Sequence, residues 1–263
     1  MEHMSKGISV AASSTVAVGE TFGVGVKVLT DPHYVAAGCY RPIPAVMGRY
    51  NQSPRGIRYM DNVLSRFAGT LEVEGGDGYR GPSTVSFQAG TGAYPGDTRP
   101  ILRMEPVSFA TAGTKYIRMR DPKSGIEGIS NPIQVSAKTP EYRLYWGDIH
   151  CQTFFSDGLR CPEELYAFAR REAFLDIFAM SDHSESLTER QWDYFTAVTN
   201  DAYEPGAFVT LQGLEWTSKK WGHRNVYYRG DRGPCLRATD PVQGELPALY
   251  EAALKERALV IPH

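Results

Sequence analysis

Residues 144–158 read LYWGDIHCQTFFSDG, and this stretch decides how the second half of the chain is interpreted. Its first part, Leu144–Ile149, is predicted to be a β-strand. His150 follows directly, and Ser156-Asp157-Gly158 forms a turn cluster shortly after it. A potential metal ligand therefore stands at the C-terminal end of a strand, with a loop carboxylate close behind.

Downstream of this stretch, from Pro140 onward, strand and helix patterns alternate. Ser186 and Glu189 have the spacing of a capping box, which predicts where the second helix begins. The predicted elements after the first strand are a helix opened by Pro162, the strand Asp176–Met180, a helix with Trp192 and Phe195, the strands Phe208–Glu215 and Asn225–Tyr228, the helix Pro247–Ala258 and the strand Leu259–Ile261. Such alternation predicts parallel strands joined by crossover helices, most simply an α/β barrel.

Upstream, residues 7 to about 138 have an all-β pattern and no sustained 3.6-residue period, which predicts a β-sandwich. The stretch Asp31–Phe67 is poorly patterned and is predicted to be a long excursion between strands. The predicted strands are Ile8–Ala12, Phe22–Leu29, Thr70–Val73, Thr84–Phe87, Ile101–Met104, Tyr116–Met119 and Ile133–Val135. The sequence thus predicts a multidomain protein of class β plus α/β, with a β-sandwich domain at 1–138 and an α/β barrel domain at 139–263.

Potential metal ligands fall at the ends of the predicted strands of the second half. His150, His183 and Glu215 end three successive strands, His223 precedes the fourth, and His263 follows the fifth. The C-terminal ends of parallel barrel strands open on one face, so these side chains are expected to converge. Imidazoles and a carboxylate suit Zn, Mn or Fe, and one bridging carboxylate can hold two ions.

Further candidates flank these ligands. On an extended segment Gln152 shares a face with His150, and Asp157 is near enough in the following loop to reach the same site. Asp148 and Asp182 are expected to orient imidazoles or to close turns beside the ligands. Arg224, next to His223, is a candidate clamp for an anionic substrate, as are Lys219 and Lys220.

The motifs resemble a known superfamily of metal-dependent hydrolases. His150-x-x-Thr153, then Ser-Asp-Gly, a Pro-Glu-Glu helix start and a strand ending in Ser-Asp-His183 resemble the PHP (polymerase and histidinol phosphatase) superfamily. Three further motifs resemble more narrowly the DUF3604 family of unknown function: Tyr145-Trp-Gly-Asp-Ile-His, Gly213-Leu-Glu-Trp-Thr and Gly222-His-Arg-Asn-Val. The resemblance implies a PHP-like distorted (β/α) barrel and a set of metal ligands with Glu215 as the bridge: His150, Asp157, His183, Glu215, His223 and His263.

The sequence departs from the superfamily's pattern in two ways. The superfamily usually has His-x-His in its first motif, whereas this chain has Gln152 in the second place, and an amide is a weaker ligand than an imidazole. The predicted barrel also appears incomplete at residue 263, before the superfamily's late Asp-x-His pair. Either the chain is a fragment of a longer protein or the rest of the ligand shell is missing, and we expect the fragment, with residues 139–263 forming the N-terminal portion of the barrel.

Composition limits the partners and the compartment. A net charge of −2 gives no electrostatic reason to expect a nucleic acid or a membrane surface as partner, and no apolar run is long enough to span a bilayer. The four cysteines lack metal-knuckle spacing and are too few for a disulfide scaffold, so we expect reduced thiols in a cytoplasmic protein.

These observations predict a metal-dependent hydrolase. Two or three divalent ions (Mn, Zn or Fe) would activate water for attack on a small anionic substrate, most simply a phosphoester, with Glu215 and Arg224 closest to the chemistry. Two alternatives stay open at the level of sequence. One is a non-catalytic binding protein with a degraded metal site, and the other is an amidohydrolase-type enzyme that acts on C–N or C–O bonds.

Overall fold

The computed structural model describes residues 7–29, 67–88, 100–158, 160–242 and 244–263. The predicted excursion at Asp31–Phe67 therefore lies, except for Phe67, outside the described residues. The chain divides into two compact units, Met1–Leu144 and Tyr145–His263. Strands form most of the regular structure in the described ranges, and helices are few.

The first unit is all-β in its described residues. Its strands form three sheets, with the orders β1-β3-β7-β5, β10-β9-β4-β6 and β2-β11-β8. The bounds are β1 (Gly7–Ala12), β2 (Thr15–Ala17), β3 (Phe22–Leu29), β4 (Gly69–Glu74), β5 (Tyr79–Arg80), β6 (Thr84–Phe87), β7 (Ile101–Phe109), β8 (Gly113–Lys115), β9 (Arg118–Arg120), β10 (Glu127–Ile129) and β11 (Ile133–Ser136).

One hydrophobic core joins the three sheets of this unit. In β3 the alternating residues Val24, Val26 and Val28 are fully buried, because successive side chains of a strand point to opposite faces. They pack in the same cluster as Leu71 of β4 and Ile133 of β11. The short strands β2, β5, β8 and β10 were not predicted, since two or three residues are too few to show a period.

An ion pair ties the end of the first unit to its β2 turn. The guanidinium of Arg143 donates to both carboxylate oxygens of Glu20 at 2.7 and 3.0 Å. The hydrogen bond from Arg143 lowers the pKa of the Glu20 carboxyl below its ordinary value of 4.5. A carboxyl whose pKa is lower in the folded than in the unfolded protein stabilises the fold at pH values above its unfolded-state pKa. That stabilisation is lost as the pH falls through the folded-state pKa.

We therefore expect Glu20→Gln to destabilise the first unit by about 1 kcal/mol or less at neutral pH, as partly exposed pairs do. The difference from wild type should vanish when the pH is lowered below the folded-state pKa of Glu20. Calorimetry across a pH series measures this. Glu127→Gln, which removes a longer and more exposed pair with Arg120, is the control and should change stability less. A deficit that persisted unchanged at low pH would contradict the assignment to this ion pair.

The helices of the described residues all lie in the second unit. Its apolar core includes Trp192, Phe195, Phe178, Leu214 and Trp216. The bounds are β12 (Gly147–Cys151), α1 (Pro162–Arg171), β13 (Ile177–Met180), α2 (Glu189–Ala202), β14 (Val209–Thr210), β15 (Gln212–Ser218), β16 (Gly222–Tyr228), α3 (Leu246–Lys255) and β17 (Leu259–Pro262), with a 3₁₀ turn at Ser184–Ser186.

The prediction that all strands of the second half run parallel is wrong for β16. Strands β12, β13 and β14 are parallel neighbours, but β16 pairs antiparallel with both β15 and β17. The connection from β15 to β16 is residues 219–221, which is long enough for a hairpin and too short for a crossover to a parallel strand. The start of β16 therefore lies at the same edge as the end of β15.

The helix boundaries also differ from the predictions. Thr188 and Gln191, not Ser186 and Glu189, form the capping box of α2, because Ser186 is already held in the 3₁₀ turn. Helix α3 ends at Lys255, three residues before the predicted end, and Arg257 adopts a positive φ of 54° that terminates it. No described helix has both the length and the apolar character needed to cross a bilayer.

Candidate metal centre

Strand β12 delivers the first two candidate ligands. His150 and Gln152 lie two residues apart on the extended chain, whereas Cys151 between them packs against the apolar core. The ring of His150 is held by a hydrogen bond between its Nδ1 and the Oγ of Ser181, 2.7 Å apart. Its Nε2 atom is consequently turned toward the other candidate ligands.

The end of β13 places His183 beside Glu215. These two residues form a parallel bridge, and the Glu215 amide donates to the Asp182 carbonyl at 2.9 Å. Gly213 permits this approach, because a Cβ there would lie 2.8 Å from the Met180 carbonyl oxygen. Two candidate ligands that are distant in sequence thus become backbone neighbours.

The hairpin of β15 and β16 supplies Glu215 and His223 on one face. Thr217 pairs with His223 and Glu215 pairs with Asn225 across the hairpin, so alternation turns all four side chains to the same side. His263 follows β17 directly, and its amide donates to the His223 carbonyl at 3.1 Å.

The carboxylate of Glu215 is the centre of the cluster, and its side chain is only 1% exposed. Its Oε2 lies 2.8 Å from the Gln152 amide nitrogen, 3.6 Å from His183 Nδ1 and 3.8 Å from His150 Nε2. Its Oε1 accepts a short hydrogen bond from His223 Nδ1 and lies 4.0 Å from His263 Nε2.

Two triads of ligand atoms share this carboxylate. His150, Glu215 and His263 form one triad, and His183, Glu215 and His223 form the other; within each, the ligand atoms lie within 4.8 Å of one another. Asp157 joins the second triad, with its Oδ2 3.4 Å from His183 Nε2. The structure therefore brings together all seven residues that the sequence proposed as ligands.

Asp182 holds the loop that carries Asp157. Its fully buried carboxylate accepts from the Thr153 amide at 3.0 Å, the Thr153 hydroxyl at 2.9 Å and the Ser156 hydroxyl at 2.6 Å. Burial raises the pKa of Asp182, and these hydrogen bonds oppose that rise. Two roles were predicted for Asp182, orienting an imidazole or closing a turn, and these contacts correspond to the second. Asp148 acts in the same local way by accepting from the His150 amide at 3.0 Å.

The charges of the cluster fit a cation. Among the described residues no lysine or arginine forms an ion pair with Glu215; its ion-pair partners there are imidazoles. Burial lowers the pKa of His150, which favours a neutral ring with a lone pair available. A buried carboxylate surrounded by imidazoles is a donor set that suits Zn, Mn and Fe. The residues present therefore fit divalent ions.

Two of the predicted substrate clamps, Arg224 and Lys220, have other contacts. Arg224 lies on the sheet face opposite His223, and its guanidinium donates to the His223 carbonyl at 2.7 Å. Lys220 pairs with Glu245 at 2.9 Å and lies over the Trp221 ring. Neither side chain belongs to the cluster around Glu215 as the structure describes it.

Several residues that support the cluster were missed by the sequence analysis. Ser181 Oγ is hydrogen-bonded to His150 Nδ1, and Thr217 Oγ1 lies 2.5 Å from His183 Nδ1. Asn225 and Tyr227 lie on the same face of the sheet as Glu215. Thr217, Asn225 and Tyr227 lie an even number of strand positions from a predicted ligand. That spacing is the signal that could have identified them.

Comparison with known protein families gives a match over part of the chain. No curated protein and no solved structure matches the chain significantly. The family match covers residues 158–263. This segment contains four of the candidate ligands, His183, Glu215, His223 and His263, whereas His150, Gln152 and Asp157 precede it. Residues 158–263 match the family model described as "Protein of unknown function (DUF3604)", which supports this part of the predicted resemblance.

Proposed function

We propose that this chain belongs to a metal-dependent hydrolase that cleaves phosphoesters of a small anionic substrate with a metal-activated water. The observation that carries the proposal is the pair of histidine triads that share the buried carboxylate of Glu215. A shared carboxylate is how proteins hold two cations close enough to act on one substrate. No separate serine or cysteine nucleophile is required.

The two triads would hold the ions, with Asp157 and Gln152 beside the second triad. Ions such as Mn, Zn or Fe would supply Lewis acidity, polarising substrate oxygens and lowering the pKa of bound water. Glu215 fixes the positions of both triads, since it contacts members of each. Gln152 restrains Glu215 through its amide, and it adds no charge to the site.

Exposure indicates the side from which a substrate approaches. The side chains of His263 and Asp157 are each 47% exposed and that of His223 is 39% exposed, whereas Glu215 is closed off behind them. A substrate would therefore meet the imidazole and Asp157 side of the cluster. Because Arg224 and Lys220 have other contacts, the bound ions would be the main source of positive charge for the substrate.

The fold proposed for residues 139–263 is a PHP-like distorted barrel. Supporting this are the parallel pairs of β12, β13 and β14, the helix α1 between the first two strands, and the positions of His150, His183 and His263 at or shortly after the C-terminal ends of β12, β13 and β17. The antiparallel β16 is a distortion within such a barrel.

Elemental analysis tests the metal centre. Protein purified without chelator or nickel should retain two or more equivalents of Mn, Zn or Fe. His183→Ala and His263→Ala should each lower the content by about one equivalent, because each removes a ligand from one triad only. Retention of no metal, even after incubation with each ion, would contradict the proposal.

A substrate screen of the metal-loaded protein tests the chemistry. Hydrolysis of p-nitrophenyl phosphate or bis(p-nitrophenyl) phosphate that depends on added metal supports a phosphoesterase. Turnover of anilides or carboxylic esters alone would favour the amidohydrolase-type alternative. Metal binding with no turnover of any class would favour a non-catalytic binding protein.

A further inference from the structure

A cleft on the first unit shares no residue with the candidate metal centre. It has a volume of about 320 Å³ and is lined by residues 74–77, at and after the end of β4, and by residues 114–116 and 118. Binding sites for small molecules in proteins have volumes of roughly 300–1,000 Å³. The cleft is therefore large enough to hold a small ligand.

Hydrogen bonds within the first unit hold the walls of this cleft in place. The hydroxyl of Thr111 donates to the carboxylate of Asp77 at 2.7 Å, and the amide of Ala110 donates to the carbonyl of Gly78 at 2.7 Å. The ammonium of Lys115, whose side chain is only 13% exposed, donates to Thr111 Oγ1 at 2.8 Å and to Asp77 Oδ2 at 3.2 Å. A ligand would thus meet walls that are already ordered, which reduces the entropy cost of binding.

Three further side chains of the cleft point away from the hydrophobic core. Met119 of β9 is buried in the core, so alternation turns its neighbour Arg118 outward. Glu74 lies directly opposite Arg118 in the pairing of β4 with β9 and is exposed. Tyr116 lines the same cleft and is 43% exposed. The cleft thus combines an accessible aromatic ring with groups of both charges.

The charges of the cleft disfavour several classes of ligand. Two carboxylates, Glu74 and Asp77, are balanced by two cations, Lys115 and Arg118. An anion would meet the like charges of the carboxylates, and a cation would meet those of the lysine and the arginine. An apolar ligand would have to strip water from charged groups without replacing the lost hydrogen bonds. A neutral ligand rich in hydroxyl groups avoids all three costs.

We propose that this cleft binds a neutral sugar, with the ring of Tyr116 against its C–H face and its hydroxyl groups among Glu74, Arg118 and Lys115. A hydroxyl both donates and accepts, so it can hydrogen-bond to a carboxylate and to a cation at once. Lys115 has three N–H donors and uses two of them within the described residues, which leaves one for a ligand. The face of an aromatic ring carries partial negative charge, which suits the C–H groups of a sugar ring. The proposal concerns the first unit alone and does not depend on the metal site.

Saturation-transfer NMR on the full chain tests whether a sugar binds. The probes are four soluble oligosaccharides at millimolar concentration: cellohexaose, maltohexaose, xylohexaose and laminarihexaose. A chelator is present, so that no sugar is held through an ion in the second unit. At least one probe should receive saturation from the protein, and its titration should give a measurable Kd. Transfer to none of the four would overturn the proposal.

Variants of exposed residues test whether the bound sugar lies in the cleft. Tyr116→Ala should raise the Kd roughly tenfold or more, because it removes the aromatic anchor, and Arg118→Ala should raise it by a smaller factor. Tyr142→Ala and Arg120→Ala are the matched controls. Tyr142 is an exposed tyrosine of the same unit that does not line the cleft, and Arg120 is the next outward residue of β9, paired instead with Glu127. Both controls should bind like wild type.

Two results would overturn the proposal even if a sugar binds. Equal losses in Tyr116→Ala and Tyr142→Ala, together with equal losses in Arg118→Ala and Arg120→Ala, would place the sugar outside the cleft. Displacement of the sugar by sodium phosphate at constant ionic strength would show a site for anions instead. Calorimetry of each variant confirms that the first unit is folded, which we expect because the truncated side chains point away from its core.

Discussion

Replacing Glu215 with glutamine is expected to remove metal from both triads and to reduce metal-dependent hydrolysis by about 10³-fold or more. Glu215 is the one side chain common to the two triads, and its charge is the cluster's buried counter-charge for a cation. Loss of roughly 4 kcal/mol of cation-dependent stabilisation of the transition state corresponds to this factor.

The fold should survive this change, because glutamine has nearly the same shape as glutamate. The four tryptophans of the chain, at positions 146, 192, 216 and 221, all lie in the second unit, so their fluorescence follows its unfolding alone. In urea, metal-free Glu215→Gln should unfold within about 1 kcal/mol of wild type, since removal of a buried charge offsets the altered hydrogen bonds. At an ion concentration of 100 times Kd, wild type should gain about 2.7 kcal/mol and the variant little.

Glu245→Gln is the matched control for Glu215→Gln. It makes the same carboxylate-to-amide change at an exposed residue that pairs with Lys220 outside the cluster. It should leave metal content and the stability gained from metal unchanged. Retention of two equivalents of metal by Glu215→Gln would show that the carboxylate does not bridge the triads.

Asp182→Ala should have the largest effect on stability, lowering the free energy of unfolding of the second unit by about 3 kcal/mol. The change leaves the buried Thr153 amide and hydroxyl and the Ser156 hydroxyl without their acceptor, and each orphaned group costs roughly 1–3 kcal/mol. The variant also no longer has to bury a carboxylate, and burial is the cause of the raised pKa of Asp182. This gain offsets part of the cost of the orphaned groups.

Metal binding should weaken in the same variant, because the loop it releases carries Asp157 to within 3.4 Å of His183. Tryptophan fluorescence in urea measures the stability, and titration of the metal-free protein measures the affinity. Asp193→Ala removes an exposed carboxylate paired with Arg232 and should cost no more than about 1 kcal/mol. If the two aspartate variants were equally stable, Asp182 would not be the anchor of this loop.

The sequence predicted the parts of the site that depend on local pattern. His150 and His183 could be placed at strand ends because a short apolar run followed by polar residues marks the end of a strand. Their approach to Glu215 was predicted from the rule that parallel strands expose their C-terminal ends at one edge, but Glu215 lies in the middle of β15 and not at its end. That rule needs only the order of the elements and no knowledge of register.

Features that depend on pairing between distant segments were not predicted. The contact of Ser181 with His150 and the position of Tyr227 over the Ile149 carbonyl depend on which strands are neighbours and in what register. The antiparallel direction of β16 was missed because the predicted strands left residues 216–224 between them, whereas the actual connection, residues 219–221, is short enough to indicate a hairpin. Arg224 was proposed as a clamp from adjacency to His223, yet adjacent residues of a strand face opposite sides.

The hairpin of β15 and β16 has a consequence for the order in which the site assembles during folding. Glu215 and His223 are eight residues apart, so closing their contact costs little chain entropy, whereas the contact of His150 with His263 spans 113 residues. Contacts of low sequence separation form early and those of high separation form late. We therefore expect the contact of Glu215 with His223 to form before the triad of His150 and His263 is completed.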